Sequence, residues 1–378
     1  MMTTTRVALA LDCGTHAIRV IAYPEGGGAP IALGSEEIRA YYPEPGSVEV
    51  DADVIATTSA RLLREAIKKL QMEKFEPACL GITNMRETAV AWRRDLGKTV
   101  HGAIHWMSTQ SQPQVDQWAS DGTAQRIREV TGLSNHTFFF GSKLRWLMDN
   151  NDKARKLVDA EALQVGTLES WLLYNLSSDR RHATDVSNAS RYQMMDLRTL
   201  AWSDELVDAV GVSHSALPEI KPTYGDFGLT DAEMVGMEIP ITGLVADQQA
   251  SLFGHGATEP GDVKATFGTS GVVCLNLGRS VRMEDGLVTS VAWSTDPPDT
   301  VFYEIEASAF HSGSTINWLS SRLSNANPWT HGMVASTAPA KYRPYLIPAF
   351  SQLGAPRWPR RTGGAILGLQ LDTTSEDI

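Results

Sequence analysis

Apolar positions near the start of the chain follow two kinds of pattern, which predict strands and a helix. Residues 7–11 and 18–23 are short β-rich runs joined by the turn-like residues 12–16, so a β-hairpin is predicted. Between residues 51 and 70 apolar residues recur every three or four positions, which predicts an amphipathic helix. Residues 79–83 are a further apolar run and predict a strand.

The middle of the chain has helical patterns that lead to a second apolar strand. Residues 142–147, 154–163 and 169–176 predict helices, and the last of these is largely apolar. Residues 239–246 are predicted to form a buried strand, with a helix starting soon after it. The carboxylate of Asp247 is therefore expected at the C-terminal end of a strand.

A cluster of turn formers marks the best candidate for a domain boundary. Its members are Gly254, Gly256, Pro260 and Gly261. After it, residues 263–267 and 272–277 predict another strand–turn–strand, so both halves open on a hairpin with a Gly-Thr turn, which is a weak sign of internal duplication. Because 378 residues exceed one ordinary core, we predict two domains, residues 5–254 and 261–378.

Composition narrows the class of protein. With 42% hydrophobic and 20% charged residues, the chain has the make-up of a soluble globular protein. A net charge of −11 argues against nucleic acid or an anionic membrane as a partner of the whole surface. No apolar stretch is suited to a signal peptide or a membrane span, so we predict a cytoplasmic protein; a homo-oligomer is possible. The three cysteines, odd in number and widely spaced, suggest neither disulfides nor a zinc site.

Two glycine turns carry the first candidate chemistry. Phosphate groups need backbone N–H donors at a turn, and a nearby carboxylate to hold the magnesium ion that screens their charge. Asp12, Gly14 and Thr15 supply both, and the turn at Gly268 and Thr269 is a second candidate. Either turn alone fits an ordinary hairpin better than a phosphate site, whereas two facing turns at the starts of two domains favour a phosphate site.

Three further features are candidates for binding or activating a substrate that carries hydroxyl groups. Asp247 at a strand end can accept a hydroxyl proton, although a helix N-cap is an equally good interpretation. The Arg86 guanidinium can donate hydrogen bonds and the Glu87 carboxylate can accept them, so the adjacent pair can bind two vicinal hydroxyls as a hydroxyl clamp. Most such pairs, however, are solvated surface residues. Trp106 and Phe138 can form an apolar wall for a carbon chain, or simply belong to the core.

The order and spacing of these motifs resemble the FGGY carbohydrate kinases, and among them the glycerol kinases most closely. The likeness covers residues 6–378, and its strongest stretches are residues 81–88, 143–150, 184–191, 246–254 and 348–356. The resemblance implies an α/β, actin-like ATPase architecture, in which two ribonuclease-H-like domains close on a cleft. It also implies ATP with Mg²⁺ as the phosphoryl donor and a small polyol as the acceptor.

The resemblance also implies a role for each matching residue. Asp247 would be the general base, and the polyol would be surrounded by Arg86, Glu87, Trp106, Phe138 and Gln248. The phosphate and magnesium side would be served by Asp12, Gly14, Thr15 and Arg19. The nucleotide would contact Gly268, Thr269, Gly313 and Asn317, the last standing where glycerol kinases usually have glutamine.

Several positions depart from the family pattern. His16 replaces a threonine near the phosphates, Phe138 replaces a tyrosine of the polyol pocket, and Ser108-Thr109 replace an Asp-Arg pair. Residues 364–369 open the family's second signature, and the chain ends inside it, so we expect an incomplete second domain with apolar faces left uncovered.

The leading hypothesis is an ATP-dependent kinase that converts glycerol to glycerol 3-phosphate. One alternative is a kinase for another polyol or sugar of the same family, and a second is a catalytically dead relative that binds a polyol or a protein partner. A dehydrogenase would need a Gly-x-Gly-x-x-Gly turn after a strand, and the sequence has none.

Overall fold

The computed structural model describes residues 5–295, 300–322, 344–350, 353–358 and 363–373. The strands of the first part are β1 (Thr5–Cys13), β2 (Ala17–Pro24), β3 (Ile31–Glu37), β4 (Ala40–Tyr41), β5 (Glu49–Val50), β6 (Phe75–Asn84), β7 (Val90–Arg93), β8 (Lys98–Thr99), β9 (Ala103–Ile104), β10 (Leu163–Gly166), β11 (Ala183–Asp185), β12 (Glu219–Lys221) and β13 (Ile241–Ala246). Its helices are α1 (Ala52–Met72), α2 (Gln112–Asp121), α3 (Thr123–Thr131), α4 (Phe140–Asn150), α5 (Asp152–Asp159), α6 (Leu168–Leu176), α7 (Val186–Ala189), α8 (Asp204–Val210), α9 (Ala232–Val235) and α10 (Asp247–Gly254), with a 3₁₀ turn at His214–Ala216. The second part has β14 (Val263–Phe267), β15 (Gly271–Gly278), β16 (Val288–Ser294), β17 (Val301–Ala309), α11 (Gly313–Arg322), β18 (Tyr345–Ile347) and β19 (Ala365–Leu367).

The main sheet of the first part aligns three strand ends. Its order is β13-β6-β1-β2-β3, with β13, β6 and β1 parallel and β1, β2 and β3 antiparallel. Cys13 and Ala246 both pair with Asn84 in register. The carboxyl ends of the three parallel strands therefore meet at one edge, where open α/β sheets bind their ligands.

Helix α1 covers this sheet, and its start and its buried face both follow from the sequence. The Asp51 side chain accepts a hydrogen bond of 2.9 Å from the N–H of Val54 and caps the helix. Ile55, Leu63 and Leu70 lie on the buried side, in one apolar core with the strands. The predicted helix and the N-terminal hairpin are confirmed.

The second part is built on an antiparallel sheet with the order β14-β15-β17-β16. The hairpin of β14 and β15 confirms the second strand–turn–strand prediction. On β17, Glu304, Glu306 and Ser308 are buried and alternate along the strand, so they share one face of the sheet. The division into two domains stays a prediction.

One predicted helix is partly wrong. Residues 154–163 were expected to be helical throughout, but α5 ends at Asp159 and Leu163 begins β10. The backbone at Glu161 turns left-handed, with φ of 52°, which ends the helical path. Residues 163–166 then pair with β7, and this pairing overrides the local apolar period. In the stretch 348–356, residues 351 and 352 lie outside the described residues.

In the part of the chain that the structure describes, every helix is too short or too polar to cross a lipid bilayer.

Candidate active site

A cavity of about 140 Å³ lies between the two main sheets and brings together most of the predicted site residues. It is lined by Thr15, Met85, Arg86, Glu87, Trp106, Phe138, Asp247, Gln248, Thr266, Gly268, Thr269, Ser270, Val272, Ser308 and Phe310. The cavity therefore brings together both candidate phosphate turns, the candidate base Asp247 and the hydroxyl clamp of Arg86 and Glu87. Asp12, Gly14, Arg19, Gly313 and Asn317 are not part of this lining and belong to neighbouring elements.

Asp247 stands where the strand prediction put it, directly after β13. The N-cap interpretation is wrong, because Ala246 is the cap residue and Asp247 is the first residue of α10. Its carboxylate accepts from its neighbour, the N–H of Gln248, at 2.7 Å, and lies 3.3 Å from Nε of Arg86. Burial raises the pKa of Asp247 to about 6, although Arg86 opposes the rise. The group is thus ionised at neutral pH and more basic than an ordinary aspartate.

Arg86 and Glu87 follow β6, at the same sheet edge. The surface interpretation of this pair is wrong, since the Arg86 and Glu87 side chains are only 4% and 2% exposed. Glu87 has a left-handed backbone, with φ of 58°, which is uncommon outside glycine and costs of order 1 kcal/mol. Its carboxylate accepts a hydrogen bond of 2.6 Å from Nε of Arg191.

An aromatic wall closes one side of the cavity. The rings of Trp106 and Phe138 meet edge to face with centroids 5.7 Å apart, and Phe310 packs on Phe138 at 5.5 Å. The indole N–H of Trp106 donates to the Thr15 hydroxyl at 3.2 Å. Buried Lys143 donates to the Phe138 carbonyl and fixes that segment, while burial lowers the pKa of Lys143 to about 7. The wall suits a carbon chain whose hydroxyls point towards the charged residues opposite.

The two glycine turns face each other across the opening between the sheets. The imidazole Nε2 of His16 lies 2.6 Å from the Thr269 hydroxyl oxygen, and so links the first turn to the second. At the second turn, the Gly313 N–H donates to the Gly268 carbonyl at 2.8 Å. A Cβ at Gly313 would lie 2.7 Å from that carbonyl oxygen, so only glycine allows α11 to start so close to the turn.

The residues near the first turn fit magnesium and phosphate. The Asp12 carboxylate is 27% exposed and pairs with Arg19 at 3.1 Å. Burial raises the pKa of Asp12, and Arg19 opposes the rise. A carboxylate with neighbouring hydroxyls is a ligand set that Mg²⁺ prefers, and a guanidinium beside it suits phosphate. Asn317 lies on α11 four residues after Gly313, on the same side of the helix.

Sequence reasoning missed the buried charges behind the cavity. Glu306 accepts from Nη1 of Arg86 at 2.6 Å and from Nη2 of Arg191 at 3.4 Å. Burial alone would raise the pKa of Glu306, but Arg86 and Arg191 bring it well below its usual range. Lys264 donates to the amide oxygen of Gln248 at 2.8 Å. The alternation of Glu304, Glu306 and Ser308 inside an apolar run was the available signal for this polar face.

The same sheet face holds a trio that a metal ion could be thought to bind. Ligand atoms of Cys274, Glu304 and Glu306 lie within 4.8 Å of one another. Both oxygens of Glu306 already accept from guanidinium groups, whose positive charge opposes a cation. This trio is therefore a poor metal site.

Residues 7–254 match the N-terminal domain of the FGGY family of carbohydrate kinases. The glycerol kinase of Halorhodospira halophila is 38% identical over 376 residues, which are 99% of this chain and 74% of that protein. The glycerol kinase of Chromobacterium violaceum is also 38% identical, over 99% of this chain and 75% of its own length.

Solved structures agree with this family match. The crystal structure of Plasmodium falciparum glycerol kinase with ADP superimposes with a TM-score of 0.86 at 31% identity, covering 99% of this chain and 75% of that one. A ligand-bound xylulose kinase from Lactobacillus acidophilus has a TM-score of 0.84 at 20% identity over 98% of this chain and 74% of its own, and so supports the fold alone. The predicted α/β, actin-like ATPase fold is confirmed.

Proposed function

We propose that this chain, which belongs to the FGGY family of carbohydrate kinases, transfers the terminal phosphoryl group of ATP to glycerol and yields glycerol 3-phosphate and ADP. One observation carries the proposal. The carboxylate of Asp247, with a pKa raised to about 6, lies 3.3 Å from Arg86 in a cavity that also holds Thr15 and Thr269 of the two turns. Phosphoryl transfer to an alcohol requires a proton acceptor, groups that hold the hydroxyls and turns that bind the phosphates, all within one cavity.

The chain's residues divide the work of binding and proton transfer. Arg86, Glu87 and Gln248 hydrogen-bond the hydroxyls of the polyol, and the aromatic wall of Trp106 and Phe138 packs on its carbons. Asp247 accepts the proton of one hydroxyl while that oxygen bonds to phosphorus and the bond from phosphorus to the ADP oxygen breaks. Because burial raises its pKa to about 6, the Asp247 carboxylate is a stronger proton acceptor than an ordinary aspartate and is still mostly ionised at pH 7.

The phosphate side is assigned to the residues around the two turns. Asp12 would hold Mg²⁺, with Gly14, Thr15 and Arg19 beside the phosphates. When bound, the ion supplies screening of the phosphate charge. The nucleotide would contact Gly268, Thr269, Gly313 and Asn317. The donor set of Asp12 and Arg19 and the close packing at Gly313 support these assignments.

A second candidate function is supported by the bond between His16 and Thr269. At 2.6 Å it joins the two turns directly, in the region where the phosphates would lie. The bond occupies the Thr269 hydroxyl, which the nucleotide would contact, and so favours a relative that binds a polyol without phosphorylating it. Calorimetry separates the two, because glycerol binding without detectable MgATP binding favours the inactive relative.

The kinase proposal is tested by coupled ADP release with glycerol, other polyols and pentuloses as acceptors. We expect glycerol-dependent turnover that requires Mg²⁺ and is lost in Asp247→Asn. Asp208→Asn is the matched control, since it makes the same chemical change at an exposed position on α8. Absence of turnover with every polyol, or equal turnover in the two variants, contradicts the proposal. A pentulose preferred over glycerol would assign another acceptor of the same family.

A further inference from the structure

Behind the cavity, the buried carboxylate of Glu306 connects the second sheet to the first part of the chain. Glu306 lies on β17 of the second sheet, whereas Arg86 and Arg191 belong to the first part of the chain. One oxygen of Glu306 accepts from Arg86 at 2.6 Å, and the other accepts from Arg191 at 3.4 Å and from the Ser308 hydroxyl at 2.6 Å. The Glu306 and Arg191 side chains are completely buried, and Arg86 is only 4% exposed.

We propose that Glu306 is a positioning residue that orients the Arg86 guanidinium for the polyol, so that the hydroxyl clamp forms only when the second sheet is in place against the first. The proposal rests on the function proposed above. Glu306 itself does not line the cavity and acts through Arg86 and Ser308, which do.

The contacts of Arg86 show why an orienting partner is needed. Its Nη1 donates to Glu306 at 2.6 Å and to the amide oxygen of Gln249 at 3.4 Å, while its Nε faces Asp247 at 3.3 Å. A buried guanidinium that lost Glu306 would turn towards the remaining carboxylates. Closer pairing with Asp247 would occupy the base and make it a weaker proton acceptor. Glu306 therefore holds Arg86 at a distance at which Asp247 stays available.

Glu304 provides a matched control two residues away. It is buried on the same face of β17, and one of its oxygens accepts from the Ser290 hydroxyl at 3.1 Å. Among the residues that the structure describes, it forms no ion pair with Arg86. Burial and the charge of Glu306 raise the pKa of Glu304 and so favour its neutral form, and a glutamine there keeps a neutral side chain of the same size.

The experiment compares Glu306→Gln with Glu304→Gln in the full chain by glycerol and ATP kinetics between pH 5 and 9. For Glu306→Gln we expect kcat/KM for glycerol to fall about 100-fold, the scale of a misplaced binding group, mainly through a higher glycerol KM, with the KM for ATP nearly unchanged. The acid limb of the pH profile of kcat/KM should move below pH 6, because removing the Glu306 charge lowers the pKa of Asp247. Glu304→Gln should stay closer to wild type than Glu306→Gln, because Glu304 forms no ion pair with Arg86 among the described residues.

Two further measurements keep the test decisive. Thermal unfolding shows whether Glu306→Gln folds. If it does not fold, Glu306→Asp replaces it, because aspartate keeps the charge on a shorter side chain. For Glu306→Asp we expect a higher glycerol KM and an unchanged acid limb of the pH profile. Side-chain ¹⁵N-arginine NMR follows the Arg86 Nε–H, assigned by its absence in Arg86→Lys. We expect slow hydrogen exchange in the wild type and in Glu304→Gln, and fast exchange in Glu306→Gln.

The outcomes separate the two proposals. The role of Glu306 is overturned, and the kinase function stands, if the wild type phosphorylates glycerol and the two glutamine variants have equal kinetics and equal Arg86 exchange. A wild-type glycerol KM in Glu306→Asp has the same meaning. No turnover in the wild type, together with Arg86 exchange that depends on Glu306, overturns the kinase function and supports only the part of the proposal in which Glu306 orients Arg86.

Discussion

Replacing Asp247 with asparagine is expected to remove activity and to stabilise the fold at the same time. The substitution keeps the size of the side chain and removes its charge and its ability to take a proton. Loss of a general base lowers kcat by about 100- to 10,000-fold. In the wild type, kcat/KM for glycerol should fall below pH 6, because Asp247, whose pKa burial raises to about 6, becomes protonated there.

The stability effect follows from the direction of the pKa shift. The native pKa of Asp247 is about 6 against an ordinary value of 3.8, so between these values the folded state binds more protons than the unfolded state. Stability therefore falls as pH rises from about 4 to 6. The loss amounts to at most about 3 kcal/mol, and to less in practice, because the side chain is 30% exposed and solvent screens its charge. Asparagine does not ionise, so the Asp247→Asn variant does not lose this stability as the pH rises.

Calorimetric unfolding of both proteins at pH 4, 5, 6 and 7 measures the effect. We expect similar Tm values at pH 4 and a difference of a few degrees in favour of Asp247→Asn at pH 6 and above, given about 2 °C per kcal/mol in large domains. A Tm difference that does not change with pH, or turnover above a tenth of wild type in the variant, would refute the reasoning.

Three other substitutions have defined outcomes. Phe138→Tyr adds a hydroxyl to the cavity wall, and one new hydrogen bond of about 0.5–1.5 kcal/mol should lower the glycerol KM about 2- to 10-fold in steady-state kinetics; an unchanged KM would show that the ring edge does not reach the polyol. His16→Ala removes the 2.6 Å link to Thr269, so hydrogen exchange at the second turn should speed up, and unchanged exchange would contradict a cross-turn bond in solution. Asp51→Ala removes the cap on α1 and should cost about 1 kcal/mol in urea unfolding; no loss would mean that the Val54 N–H finds another acceptor.

Much of the site was visible in the sequence because its residues sit at the ends of strongly patterned strands. The apolar run before Asp247 and the one before Arg86 were both long enough to predict strands, and parallel strands bring such ends to one edge. The end of α5 was missed, since the left-handed turn at Glu161 and the pairing of β10 with β7 depend on distant partners.

The sequence by itself determined which elements form and which polar groups stand at their ends, since apolar periodicity and turn residues act locally along the chain. Only the tertiary structure decided that Arg86 is buried against Glu306, and that His16 meets Thr269 across 253 positions of sequence. The physical reason is that burial and pairing of charges depend on which surfaces the folded chain brings together. The raised pKa of Asp247 has the same origin, because desolvation, its largest cause, exists only once the two sheets enclose the cavity.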